Sequence, residues 1–197
     1  MTLNRRQFLA AGATLGATAS LAAPTSPLPF LIQMQSDPLL PRAGGKRVVI
    51  CGGGWGGVTA AKHLKKLNPS LDVVLLERNP VFFSCPMSNK WLVDVVDTQF
   101  LTFSYLDVAE KYGYKFVQTE VTAFEREKKR VITAQGWLDY DYLIIGAGIR
   151  YQYEAWFGND RKAADYTKAM FPAAYIPNAE HFKLKQSIQN LSSGYSA

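Results

Sequence analysis

The spacing of apolar positions changes period sharply between residues 46 and 77. Val48-Val49-Ile50-Cys51 is an unbroken apolar run, the pattern of a strand covered on both faces. Gly52-Gly53-Gly54-Trp55-Gly56-Gly57 follows, and then Gly57, Ala60, Ala61, Leu64 and Leu67 recur at helical spacing, with Lys62, Lys65 and Lys66 on the wet side. Asn68-Pro69 predicts the helix stop. A second apolar run, Val73-Val74-Leu75-Leu76, ends at Glu77, so strand, glycine turn, helix and strand together predict a parallel βαβ unit.

Further along, the apolar segments become short and alternating. Phe116-Val117 predicts a short strand, and residues 121–124, 130–133 and 137–138 a β-meander. The mixed-charge run Glu125-Arg126-Glu127-Lys128-Lys129-Arg130 reads as a solvated hairpin tip. Residues 142–145 return to the sheet and end at Gly146-Ala147-Gly148. A late stretch with Leu184, Ile188 and Leu191 on one side predicts a helix. The fold class is therefore α/β, a Rossmann-type βαβ domain with a β-meander insertion.

In such a unit the first glycine makes the tight turn, the second lets a pyrophosphate approach the backbone, and the third lets the helix pack close on the strand. Gly52, Gly54 and Gly57 hold those places. Phosphates would sit at the helix N-terminus, where free N–H groups and the helix dipole favour negative charge. Glu77, 25 residues beyond Gly52, suits an acid accepting hydrogen bonds from ribose hydroxyls. A carboxylate there would repel a 2′-phosphate, which argues against NADP. The plainer alternative is a βαβ unit with a surface acid and no nucleotide.

Composition bounds the rest. A chain of 197 residues that is 48% hydrophobic can bury the core of one ordinary domain, and two would be a tight fit. Residues 1–23, with Arg5-Arg6 ahead of a weakly apolar run, read as a twin-arginine export signal, which implies a periplasmic protein. That run is too short to be a permanent membrane span. Without Arg5 and Arg6 the formal charge falls from +6 to about +4, and the remaining cations are scattered, which argues against nucleic-acid binding. Residues 24–45, with five prolines, read as a linker; 46–158 as the first half of a dinucleotide-binding domain; and 159–197 as a helical stretch expected to lead toward a missing second domain.

The loop Phe82-Phe83-Ser84-Cys85-Pro86-Met87-Ser88-Asn89 narrows the chemistry. Pro86 suits a first helical position, which would put Cys85 at the N-cap, where a helix dipole favours thiolate. Spacing alone leaves a reactive or cofactor-linked Cys85 against a merely packed one. Cys51, ending the first strand, reads as an inert buried thiol, and the two are not expected to pair. His63 and His181 read as solvated, Trp137 and Tyr142 as packing residues. Neither a metal site nor a catalytic residue is identified.

Four stretches carry a resemblance: 48–57 (VVICGGGWGG), 75–79 (LLERN), 82–89 (FFSCPMSN) and 141–148 (DYLIIGAG). With them the chain resembles, over residues 46–158, the N-terminal part of the flavoprotein subunit of flavocytochrome c sulfide dehydrogenase. The resemblance implies FAD as cofactor, held by Gly52, Gly53, Gly54, Trp55, Gly57, Glu77 and Arg78, with Gly146, Ala147 and Gly148 as a second glycine turn near it. The residue matching Val121 meets the adenine through its backbone, and the cysteine matching Cys85 carries the flavin covalently by a thioether. Family members are periplasmic and pass electrons from sulfide through flavin to a c-type cytochrome subunit. This chain has no Cys-x-x-Cys-His, so the haem would belong to that partner.

The family fold needs roughly twice this length, and its redox disulfide belongs to segments past Ala197. The expectation is therefore a truncated or split form, whose activity alone is open and which a second chain could complete. Two alternatives stand beside it. One is a related sulfur-oxidation flavoprotein or sulfide:quinone reductase; the other is a non-catalytic remnant or nucleotide-binding assembly module.

Overall fold

The computed structural model describes residues 37–176 and 179–194. The twin-arginine segment at 1–23, residues 24–36 of the expected linker, and residues 195–197 lie outside them.

The two apolar runs form β1 (Arg47–Cys51) and β2 (Asp72–Glu77), which pair in parallel from Arg47 opposite Asp72 to Cys51 opposite Leu76. Between them runs helix α1 (Trp55–Leu67). The chain continues through β3 (Val81–Phe83), α2 (Ser88–Leu92), α3 (Thr98–Leu101), β4 (Thr102–Ser104), α4 (Tyr105–Tyr112) and β5 (Lys115–Gln118). Next come β6 (Val121–Glu125), β7 (Arg130–Thr133), β8 (Gly136–Asp139) and β9 (Tyr142–Ile145). A 3-10 turn (Tyr153–Trp156) and helices α5 (Arg161–Met170) and α6 (Ala179–Gly194) follow. The parallel sheet has the order β5-β2-β1-β9, β6-β7-β8 form the antiparallel meander, and β3 pairs with β4.

Alternate residues of a strand point to opposite faces, and here both faces are covered. Val48, Ile50, Val73 and Leu75 pack with Ala61 of α1 and Tyr105 and Ala109 of α4. Val49, Cys51, Val74 and Leu76 pack with Val131 and Leu138 of the meander. This explains why β1 and β2 are apolar without alternation. A third cluster joins Trp91, Leu92 and Leu101 to Phe83, Ala174, Leu184 and Ile188, seating α6 on α2 and α3.

Local sequence sets the helix ends. Lys65 and Lys66 occupy the last turn of α1, complementing its dipole, and Asn68 caps it. Ser104 accepts the Asp107 amide at the start of α4, and Gly113 ends it with φ +74. Asp160 accepts the amides of Lys162 and Ala163 at the start of α5.

Arg47 is fully buried and ties the edges of these layers together. Its guanidinium donates to Asp72 at 2.7 Å, Asp139 at 3.0 Å and the carbonyl of Pro41 at 2.5 Å. Lys115 reaches the other Asp72 oxygen at 2.8 Å. Burial works against the Asp72 carboxylate, but hydrogen bonds from Lys115 and Arg47 hold it below its ordinary range. Part of the segment expected as linker joins in: Leu39 donates to the Trp137 carbonyl at 2.7 Å, and Arg42 pairs with Asp139 and Asp141. Residues 37–42 are therefore docked along β8.

Four expectations are corrected. Helix α2 begins at Ser88 behind Met87 (φ +67), so Cys85 is not an N-cap and Pro86 not a first helical residue. The chain turns instead through a hydrogen bond from the Ser88 amide to the Cys85 carbonyl. His181 is not solvated: it is fully buried among aromatic rings. Leu67, the last residue of α1, is 84% exposed, outside the cluster that Ala60, Ala61 and Leu64 join, and Tyr142, at 60%, faces water rather than packing. Trp137 does pack, with the Arg130 guanidinium 3.7 Å from its ring.

Candidate functional site: a double glycine turn

The fingerprint residues sit where β1 hands over to α1. Gly52 has φ +104, and a methyl on it would lie 2.3 Å from the Gly146 carbonyl oxygen. A methyl on Gly57 would lie 1.9 Å from the Gly52 carbonyl oxygen. These contacts require glycine, one for the turn and the other for the close approach of helix to strand. The Gly146 amide donates to the Cys51 carbonyl at 2.8 Å, so the 146–148 turn after β9 lies directly against the 52–57 turn after β1. Gly148 has φ +76 and faces open space.

Gly54 caps α1 without any side chain to satisfy the first amides, and methyl groups at Gly54 or Gly56 would meet nothing within 4 Å. The helix therefore starts with no side chain capping its first amides, and the surface at Gly54 and Gly56 is open. Gly53 is held from two sides. Its amide donates to Glu77 at 2.8 Å, and its carbonyl accepts the Tyr105 hydroxyl at 2.8 Å. Burial, reinforced by the Glu77 and Tyr114 side chains, raises the Tyr105 phenol well above its ordinary range, keeping it a donor. The remaining Glu77 oxygen accepts from Asn79 N and Nδ2 at 2.9 and 2.7 Å.

The residues present fit a dinucleotide. A pyrophosphate needs uncapped amides and close backbone approach, and a ribose needs an acceptor at the end of the second strand. Gly54 with α1 supplies the first and Glu77 the second.

The other candidates spread outward from this centre. Trp55 is 56% exposed and meets Phe82 edge-on at 5.3 Å. Arg78 is exposed and pairs loosely with Glu120 at 3.8 Å. Val121 opens β6 at a register shift and packs against the cluster under the sheet. Cys85 is half-buried, with Sγ donating to the Tyr175 carbonyl at 2.9 Å. Cys51 is buried, and burial pushes its thiol up to about 12; both cysteines are free thiols. Among the described residues no His, Cys, Asp and Glu cluster suits a metal, and no helix is long and apolar enough to cross a membrane.

Sequence reasoning missed Tyr105, Arg47 and the surroundings of Cys85. Ser104 and Asp107 followed by Gly113 mark a capped helix at Tyr105, but nothing local places its hydroxyl on Gly53. The contact joins residues 52 apart.

A parallel sheet with two abutting glycine turns at the C-terminal ends of β1 and β9 defines a dinucleotide-binding α/β protein. The chain belongs to the pyridine nucleotide-disulphide oxidoreductase family, which matches residues 46–187. Over 46 residues it is 54% identical to the flavocytochrome c sulfide dehydrogenase flavoprotein chain of Chlorobaculum thiosulfatiphilum, covering 23% of this chain and 96% of that sequence. It is 26% identical over 105 residues to the type II NADH:quinone oxidoreductase of Staphylococcus aureus, covering 52% of this chain and 26% of that protein. The sulfide:quinone oxidoreductase of Aquifex aeolicus shares the fold, with a TM-score of 0.64 at 20% identity over 76% of this chain. The chain spans only 33% of that structure and about a quarter of the type II NADH:quinone oxidoreductase.

Proposed function

We propose that this chain provides the FAD-binding part of an exported flavoprotein of the sulfide dehydrogenase type. The observation that carries the reading is the 52–57 turn, whose helix start has no side-chain cap and is open at Gly54 and Gly56, while Glu77 fastens its base. The 46-residue likeness to a sulfide dehydrogenase flavoprotein chain supports the choice of flavin and of sulfur chemistry. In this reading α1 and the glycine backbone bind the pyrophosphate, Glu77 orients the adenosine ribose, and residues 146–148 lie beside the bound dinucleotide. A flavin takes two electrons from a donor and releases them singly, which suits oxidation of sulfide coupled to a one-electron haem acceptor.

Cys85 is the point of covalent flavin attachment in this proposal, the acceptor is a c-type cytochrome subunit, and the location is the periplasm after twin-arginine export. Acid denaturation of the purified protein, with peptide masses and visible absorption of the precipitate, tests it. Flavin retained on the peptide containing Cys85 is the expected result. Colourless protein of unmodified mass, also after co-expression with candidate partners, refutes it.

A further inference from the structure

Residues 171–176 meet Cys85 at Tyr175; Pro172, Ala173, Ala174 and Ile176 are partly buried, but the two large aromatic side chains are not. Phe171 and Tyr175 are both 68% exposed. At its Cys85 end one phenol fastens the segment: the Tyr151 hydroxyl accepts the amides of Tyr175 at 2.7 Å and Ile176 at 2.9 Å. With its amide so fixed, Tyr175 turns its carbonyl onto Cys85, whose Sγ donates to it at 2.9 Å. Upstream, the Ala173 amide reaches Glu180 at 3.3 Å, and Ala174 packs against the Trp91 cluster. The Tyr151 ring rests on Tyr153, centroids 5.8 Å apart, and Tyr153 donates to the same buried Glu180 at 2.7 Å.

We propose that residues 171–176 form a strap closed over Cys85 and latched by the Tyr151 hydroxyl, and that release of this latch controls access to the Cys85 sulfur. Closed, the thiol hydrogen is engaged by the Tyr175 carbonyl, and the backbone covers one side of the sulfur. Open, both are freed together, because the same two amides set the position of that carbonyl. Tyr151 is thus a positioning residue that acts on Cys85 through the strap. The consequence for cofactor loading rests on the reading of Cys85 as the attachment residue; the strap itself does not.

Iodoacetamide tests the latch on flavin-free full-length protein, identified as such by mass. The sulfur bonds to the methylene carbon, iodide leaves with the electron pair of the broken bond, and the thiol proton passes to buffer. Tyr151→Phe keeps the ring and removes the acceptor. It is expected to raise the Cys85 alkylation rate roughly tenfold, the order expected for losing two modest hydrogen bonds, while buried Cys51 stays unmodified in both proteins. An unchanged Cys85 rate with Cys51 silent overturns the proposal. If Cys51 also reacts, the variant has loosened the fold, and amide exchange in the wild-type protein decides: slow exchange at Tyr175 and Ile176 supports the latch, and exchange at the open-chain rate overturns it. Colourless protein would remove the flavin reading and leave these outcomes intact.

Discussion

The Glu77 carboxylate accepts the Gly53 amide at 2.8 Å, so the end of β2 fastens the turn that follows β1. Its other oxygen serves both nitrogens of Asn79. A glutamine in its place turns an NH2 group toward one of these donors and loses an acceptor. Glu77→Gln should cost about 1.5–3 kcal/mol, the range for hydrogen bonds to charged groups, and should weaken dinucleotide retention. Urea unfolding with parallel nucleotide titration measures both; unchanged values for both would refute the double role.

Two neighbouring glycines should respond oppositely to alanine. Gly57→Ala drives a methyl to 1.9 Å from the Gly52 carbonyl oxygen and should destabilise by roughly 1–3 kcal/mol or more. Gly56→Ala meets nothing within 4 Å and should stabilise by about 0.4–1 kcal/mol through the unfolded chain. Thermal melts of the two variants would overturn this reading if their order were reversed.

Replacing Arg47 with methionine leaves Asp72 buried beside a single cation and strips Asp139 of a partner. A loss of about 3–5 kcal/mol is expected at neutral pH. Asp141 is also held below its ordinary range, chiefly by the Arg47 amide. Groups with depressed folded values stabilise above the unfolded carboxylate range, near 4, and lose that stabilisation as pH falls through the folded value. The acid limb of the stability profile should therefore be shallower in Arg47→Met, since the Asp72 shift shrinks when the guanidinium goes. Equal slopes between the two proteins would contradict the network.

His181 is fully buried, both ring nitrogens lack a partner, and its ring stands edge-on to Trp91 at 5.3 Å and Phe83 at 6.2 Å. Burial lowers its proton affinity. The unfolded chain then binds the proton more readily than the folded one, so stability falls as pH drops below about 6.5, the ordinary histidine value. His181→Phe should remove this decline and stabilise the fold at pH 7 by about 1–3 kcal/mol, since no unpaired nitrogen remains buried. Denaturation profiles at pH 7 and 5 check both; a decline that persists in the variant rules out His181 as its source.

The βαβ unit was legible because its signals are local. A fully apolar strand, glycines at fixed offsets, a 3.6-residue period and a terminal acid each act over a few neighbours, and the structure has all of them from Arg47 to Glu77. The meander was legible for the same reason. Cys85 was misread because proline tolerance at a helix start is only a permission; the chain took a turn there, and the five-residue α2 starts two positions after Pro86. His181 was misread because helical spacing does not say which side of α6 meets Phe83 and Trp91.

The sequence by itself determined the parallel βαβ unit of the first crossover, the glycine requirement at 52 and 57, and the acid at the end of β2, because these follow from backbone sterics and periodicity. Tertiary structure alone decided that Tyr105 closes on Gly53, that Arg47 is buried among carboxylates, that the 146–148 turn abuts the first, and that Tyr151 holds a strap on Cys85. Each of those contacts joins residues distant in the chain, and their energies depend on burial and mutual geometry that exist only once the layers have packed.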